Sequence, residues 1–485
     1  METERQLATL DESRLAAGPR RLVSRRDLTR TAAGAALSLS LAPWLSSAAL
    51  GSHDLPSTTP TPVSGHTSFG RARNIIYLFL NGGPSQYETF DPKPQAPTEI
   101  RGTFRPISTS VPGTQFCELL PRTAGIAHQL AVVRSMVTDD PNHESGGYYV
   151  NTGYRYLGPN MRSVSPTDWP TLASVIRMLR PAENSPFTSV MLPEPIVANP
   201  NVVLPGQNAG FLGSRWDPEL FQCDPAAPDF RYENFSPPDD VSYDRQDQRK
   251  ALLGRLDDLR RNSRSDPSLR LYDYYTAEAL RVLSSQSVAK AFHLQEEPAA
   301  LRDRYGRGKW GQSVLLARRL VEAGVRMVFV NWPRVPGDLS SSNPLWDTHA
   351  SNDSRMRDVL CPQFDLGFTA LLEDLDQRGL LQETLVVTVG EMGRTPQFNP
   401  SGGRDHWGNV FSFAMAGAGI RAGTVHGASD RDGAYVQSDR VRPEELTATI
   451  LHLLGIGHTA LFHDQFNRPF RATEGEPVTA LLSSS

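Results

Sequence analysis

Cysteine is scarce: three residues, Cys117, Cys223 and Cys361, in 485. They are odd in number and far apart, which excludes a disulfide framework as the basis of the fold. Basic excess is also missing. The formal net charge is −4, so there is no electrostatic footprint for nucleic acid. No apolar run is long enough for a stable membrane span; the best, Thr31 to Leu45, is about 15 residues against the ~20 a bilayer requires, and Pro43 interrupts it. Repeats and coiled-coil heptads are absent too, which leaves a structural envelope role without positive support. What remains is an ordinary globular composition, 39% hydrophobic and 21% charged, long enough for a large core.

The N-terminus reads as an address. Ser24-Arg25-Arg26-Asp27-Leu28 is a twin-arginine pattern, followed by a weakly apolar stretch and the small residues Ser46 to Ala49. The expectation is export by the twin-arginine route to the periplasm or cell surface, with cleavage after Ala49. An amphipathic N-terminal helix is the alternative. Twin-arginine cargo is generally exported folded, which agrees with a chain that does without disulfides. The expected organisation is then a signal peptide over residues 1–49, a disordered Ser/Thr/Pro-rich linker over 50–73 and one α/β domain over 74–485.

Within that domain, apolar β-branched runs mark buried strands at Asn74–Leu80, Gln129–Ser135, Val325–Asn331 and Leu385–Val389. Two helix–glycine–strand units, closing on Gly324 and Gly379, predict a parallel sheet with crossover helices. Pro443 opens a last helix that runs to Gly455. Leu252, Leu253, Leu256 and Leu259 predict helix over 246–292. Residues 181–245, rich in Pro, Asn and Gly, read as a long insertion, and Thr138–Gly153 as a loop. The fold class expected is a doubly wound, mostly parallel α/β sheet with helices on both faces. Four strand-end loops would then converge on one edge, where open α/β sheets place their chemistry.

Each loop carries candidates, and each has a structural alternative. Asp347 and His349, two apart in an extended loop, can share a divalent ion, or cap a turn and make a surface bond. Glu391 and Arg394, just past a buried strand, can bind cation and anion side by side, or brace the loop. Arg404, Asp405 and His406 sit between glycines and Trp407, where ionisable residues are expensive to hold without a task; Arg–Asp stapling is the alternative. Ser85 follows two glycines and is either a nucleophile or a helix N-cap. His143 contacts a ligand or metal, or is a satisfied loop histidine. His426, His452, His458 and His463 have no partnered acid at ligand spacing.

Taken together these motifs resemble one bacterial family, DUF1501. Asn81-Gly82-Gly83-Pro84-Ser85 with Thr89-Phe90-Asp91-Pro92-Lys93-Pro94 is similar to its opening. Trp346-Asp347-Thr348-His349, Glu391-Met392-Gly393-Arg394-Thr395-Pro396, Gly403-Arg404-Asp405-His406-Trp407 and Gly427-Ala428-Ser429-Asp430 follow in order. The family looks like a divergent branch of the alkaline phosphatase and sulfatase superfamily. That resemblance implies metal ligands at strand ends: Asn81 where an Asp would stand, Asp347 and His349 in the Asp/His loop, Glu391 at a strand end and His406 as the last histidine. It implies one divalent ion, Zn, Ca or Mg, with Arg394 or Arg404 clamping an anion and His143 as ligand or general acid. Met392 stands where a second-metal histidine would be. The expected activity is hydrolysis of phosphate or sulfate esters on a small molecule or polysaccharide. The alternative is a non-catalytic binding protein on a degenerate hydrolase scaffold.

Overall fold

A computed structural model describes residues 68–158, 163–199, 202–232, 248, 285–334 and 345–484. The expected signal peptide, most of the linker and the leucines of the 252–259 helix lie outside the described residues; Gln286–Ala291, at the end of that stretch, is helical.

Eight strands form one sheet. In chain order they are β1 (Asn74–Phe79), β2 (Leu130–Met136), β3 (Ser189–Leu192), β4 (Glu219–Leu220), β5 (Met327–Asn331), β6 (Thr384–Val389), β7 (Phe411–Gly417) and β8 (Thr424–His426). Their spatial order is β8-β2-β7-β6-β1-β5-β3-β4. All neighbours are parallel except β7, which runs against both β6 and β2. The expected mostly parallel α/β sheet is therefore the architecture found. Parallel strands buried on both faces read as near-continuous apolar runs, which is why NIIYLF and TLVVTV were visible as strands.

The period-2 alternation sorts side chains into two cores. Ile76 and Leu78 of β1 pack with α3 (Lys309–Glu322) and α4 (Cys361–Gln377) on one face. Ile75, Tyr77 and Phe79 pack with α2 (Leu172–Leu179) and α5 (Pro443–Leu453) on the other. Each fully buried Val, Leu, Ile or Phe contributes about 1.5–3 kcal/mol, so the central strands hold the frame rigidly. Phe79 pairs with both Val389 and Asn331, so β1, β6 and β5 end level with one another and release their loops at one edge.

Three sequence expectations need correction. Residues 181–245 are not merely an insertion: β3 and β4 belong to the main sheet. A four-residue strand among prolines carries too little periodicity to read. Thr138–Gly153 is not all loop: His143–Thr152 is a helix, α1, entered from Asn142 and closed by left-handed Gly153. Its Gly146 and Gly147 hide the helical pattern. They let the helix lie on the next loop, because a Cβ at Gly146 would stand 3.1 Å from the Glu391 carbonyl oxygen. Ser68–Arg73, at the end of the expected linker, is ordered: Ser68 and Ala72 are buried, and the Ala72 N–H donates to the Leu453 carbonyl at 2.8 Å. Among the described residues no helix is long and apolar enough to cross a membrane, and all three cysteines are free.

The strand-end loops pack backbone to backbone. Gly82 has φ +110°, and a Cβ there would meet the Asp347 nitrogen at 2.4 Å. Gly82→Ala combines a disfavoured conformation with a backbone clash, so it is expected to destabilise the fold by about 3 kcal/mol. Chemical denaturation checks this; a loss below about 1 kcal/mol would show that the two loops do not meet this closely.

Candidate metal centre

Three of these loops bring histidines and acids together. The loop after β5 delivers Asp347 and His349. The N-terminus of α1 delivers His143. The segment between β6 and β7 folds into a two-residue ribbon in which Arg394 pairs with His406. His143, Asp347 and His406 each offer one ligand atom, and these atoms lie within 4.8 Å of one another. His143 Nε2 is 3.4 Å from Asp347 Oδ2. His406 Nε2 is 3.3 Å and His349 Nε2 3.2 Å from Asp347 Oδ1. Two ligands at about 2.0–2.1 Å from a tetrahedral ion stand about 3.3 Å apart, close to each of these histidine–carboxylate distances.

Proton bookkeeping sharpens the geometry. His406 Nδ1 lies 2.7 Å from the Pro141 carbonyl, an acceptor only, so Nδ1 carries the hydrogen. His349 Nδ1 donates to Asp405 Oδ1 at 2.8 Å, and His143 Nδ1 donates to Glu391 Oε1 at 2.5 Å. In the neutral form, all three imidazoles therefore present an Nε2 lone pair to the same carboxylate. Two of these, on His349 and His406, face each other at 2.8 Å. Lone pairs with no proton between them repel; a cation, or a bound proton, resolves the conflict. His143 Nε2 is moreover buried, with the Asp347 carboxylate at 3.4 Å facing it. The donor set fits a divalent metal, and each ring's outer nitrogen is anchored by an oxygen, as in established metal sites.

The charges agree. Burial disfavours ionised Asp347, but the Arg394 guanidinium, followed by the neighbouring His143 and His406, holds its carboxyl far below the usual carboxylate range. Burial also disfavours charged His143, yet its bonds to Asp347 and Glu391 outweigh this and push it up to about 9. Burial moves His406 down from its ordinary value, keeping its Nε2 lone pair free. The centre opens to solvent on the side of His349, whose side chain is 39% exposed, while Glu391 on the opposite side is 1% exposed.

The family model for DUF1501, a protein of unknown function, matches residues 72–482. The chain belongs to this family. No curated protein matches it in sequence. Among solved structures, it is similar to a protein in the alkaline phosphatase superfamily from Vibrio parahaemolyticus (10% identity, covering 86% of this chain and 72% of that one, TM-score 0.38). It is similar to the PsFucS1 sulfatase from Pseudoalteromonas sp. (14%, 86% and 73%, TM-score 0.38). A third is the C-terminal periplasmic domain of EcEptC from Escherichia coli, in complex with Zn (11%, 87% and 98%, TM-score 0.33).

In this DUF1501 chain the candidate residues take different places from those expected. Asp347, His349 and His406 come together, and His143 joins them as a direct ligand candidate. Glu391 stands one position further out: its Oε1 accepts from His143 Nδ1 and from the Gly82 N–H at 2.9 Å. Asn81 turns its amide to the Val197 carbonyl at 3.3 Å. Ser85 Oγ is buried and makes no hydrogen bond among the described residues.

Both arginines, expected as anion clamps, have their donors engaged within the protein. Arg394 is wholly buried, donating to the Gly82 carbonyl, to the Gly83 and Arg404 carbonyls at 2.9 and 3.1 Å and to Asp347 Oδ1 at 2.7 Å. Arg404 is wholly buried between the Tyr87 and Phe398 rings, paired with Glu88 Oε1 at 2.9 Å. Sequence reasoning passed over Asp405 and Pro141 as anchors of His349 and His406; only the adjacency of Asp405 to His406 hinted at either.

His143 yields a pH prediction. In metal-free protein its folded value, about 9, exceeds its ordinary 6.5. The stabilisation is therefore full below about 6.5 and is lost as pH rises through 9. Metal-free protein should lose up to about 3 kcal/mol between these limits, at 1.36 kcal/mol per unit. Denaturation at several pH values checks this, and His143→Gln should flatten the slope. Metal loading below pH 9 should likewise release a proton, measurable by calorimetry in buffers of different ionisation enthalpy. Loading with no proton release at pH 7 would show that His143 is not a ligand.

Proposed function

We propose that this chain is an exported, metal-dependent hydrolase of phosphate or sulfate esters. The observation that carries the metal is the cluster itself: three Nε2 atoms around the Asp347 carboxylate, with each ring's Nδ1 bonded to an outer oxygen. Its donors are imidazole-rich, which favours a borderline ion such as zinc over Ca or Mg, whose sites are built of oxygen. The ester class follows the family's resemblance to phosphatases and sulfatases, and export follows the twin-arginine pattern.

His143, Asp347 and His406 would hold the ion, with His349 at its solvent side. A bound divalent ion supplies Lewis acidity toward an ester oxygen and makes water acidic near neutral pH. Glu391, Asp405 and Pro141 fix the tautomers, so each Nε2 stays aimed inward. Arg394 keeps Asp347 ionised and joins its loop to the Gly82–Gly83 turn. His349, half exposed and backed by Asp405, is placed to carry a proton at Nε2 to or from the leaving group. Ser85 Oγ makes no hydrogen bond to a base among the described residues, which favours water as the nucleophile. With both arginines committed, the ester's negative charge must be met by the metal centre itself.

A second reading, a binding protein on the same scaffold, is favoured by one residue. Met392 is fully buried against Gly83 and cannot serve as the second-metal histidine.

Elemental analysis of the protein purified in its folded, exported form should find about one zinc-class ion per chain. Asp347→Ala and His406→Ala should lose it, together with at least roughly 100-fold of the hydrolysis of p-nitrophenyl phosphate or sulfate. Glu391→Gln should weaken the metal by about 10–100-fold while leaving the ligands in place. Unchanged hydrolysis in metal-free protein would overturn the hydrolase reading. Bound metal without hydrolysis of either ester would favour the binding protein.

A further inference from the structure

Beside the metal centre lies an open groove of about 580 Å³, within the roughly 300–1,000 Å³ common to small-molecule sites. Phe398 and Trp407 supply aromatic surface, and Gln397, Asn399, Asp405 and Asp432 supply polar groups. Two of the lining side chains are carboxylates, and none is lysine or arginine.

The groove and the cluster share residues. Asp405 lines the groove and accepts from His349 Nδ1 at 2.8 Å. Asn399 also lines it; its amide donates to the His349 carbonyl and to Asp405 Oδ1, each at 2.9 Å. Trp407 directly follows His406 in the same ribbon. The aromatic walls are fixed in place. The Arg404 guanidinium lies 3.9 Å from the Phe398 ring centre, and Trp407 Nε1–H donates to the Ala434 carbonyl at 2.5 Å. Tyr435, 55% exposed, stands edge-on to Trp407 with ring centres 5.7 Å apart and extends the aromatic surface outward.

We propose that this groove binds a sugar unit of the substrate that carries no negative charge. Aromatic rings with a polar rim suit the C–H faces of a pyranose, and amides and carboxylates accept from its hydroxyls. A sulfate, phosphate or uronate placed between Asp405 and Asp432 would meet like charge with no lining cation to balance it. The anionic ester group is thus directed to the metal centre and the uncharged ring to the groove. This orientation rests on the hydrolase reading; the binding itself does not.

A glycan array probed with the full chain tests it, using neutral, amine-bearing, sulfated and uronate-containing oligosaccharides. The expected binders are neutral or amine-bearing. Titration calorimetry with the best of them should show binding weakened at least roughly tenfold by Trp407→Ala and kept within roughly threefold by Trp407→Phe. Thermal melting confirms that both variants fold. Binding should persist in metal-stripped protein, so a failed hydrolase reading would leave the groove standing. Preference for sulfated or uronate glycans, no glycan bound on the array, or binding indifferent to Trp407→Ala would each overturn the proposal.

Discussion

Three imidazoles and one guanidinium converge on the carboxylate of Asp347, and the local structure depends on keeping that carboxylate charged. Arg394 provides the permanent countercharge from a fully buried position, and through the Gly82, Gly83 and Arg404 carbonyls it ties three loops to the same point. The carboxylate stays ionised, so the histidines gather around it rather than around water.

The constraint propagates outward through small residues. Gly82 lies on the Asp347 backbone, Gly146 on the Glu391 carbonyl, Gly403 on His349 and Gly408 on Asp140. At each a Cβ would press on or collide with a neighbouring chain. The glycines are thus a consequence of bringing several loops to one point above a rigid sheet. The sheet supplies the platform: β1, β5 and β6 end in register, and β2 runs in the same direction beyond antiparallel β7.

Much of the frame was legible in the sequence because it depends on local pattern. Buried parallel strands are apolar runs, and left-handed glycines close helices, as Gly324 and Gly379 do. Asp347, His349 and His406 could be singled out because ionisable residues in strand-end loops are costly without a role. Their neighbours were harder to sort. Glu391 and Asp405 look alike in sequence, yet Glu391 is buried behind His143 and Asp405 stands in solvent behind His349. Which acid enters the candidate metal cluster and which touches an imidazole from outside is set by packing across some 50 to 250 residues of chain separation, not by spacing. Arg394 and Arg404 sit in Gly-rich segments that suggest exposure, and only the folded loops reveal that carbonyls and Glu88 occupy their donors. His143 was named as a candidate, but the helix that carries it was hidden by the two glycines that let it approach.

The central claim is that one divalent ion sits among His143, Asp347 and His406. The most direct measurement is an anomalous-scattering map at the zinc edge from crystals of the zinc-loaded chain. The account predicts a single peak bounded by His143 Nε2, His406 Nε2 and an Asp347 oxygen, at about 2.0–2.2 Å from each, with Glu391 and Asp405 still on the outer nitrogens of their histidines. A peak elsewhere, or none in crystals grown with excess zinc, would contradict it.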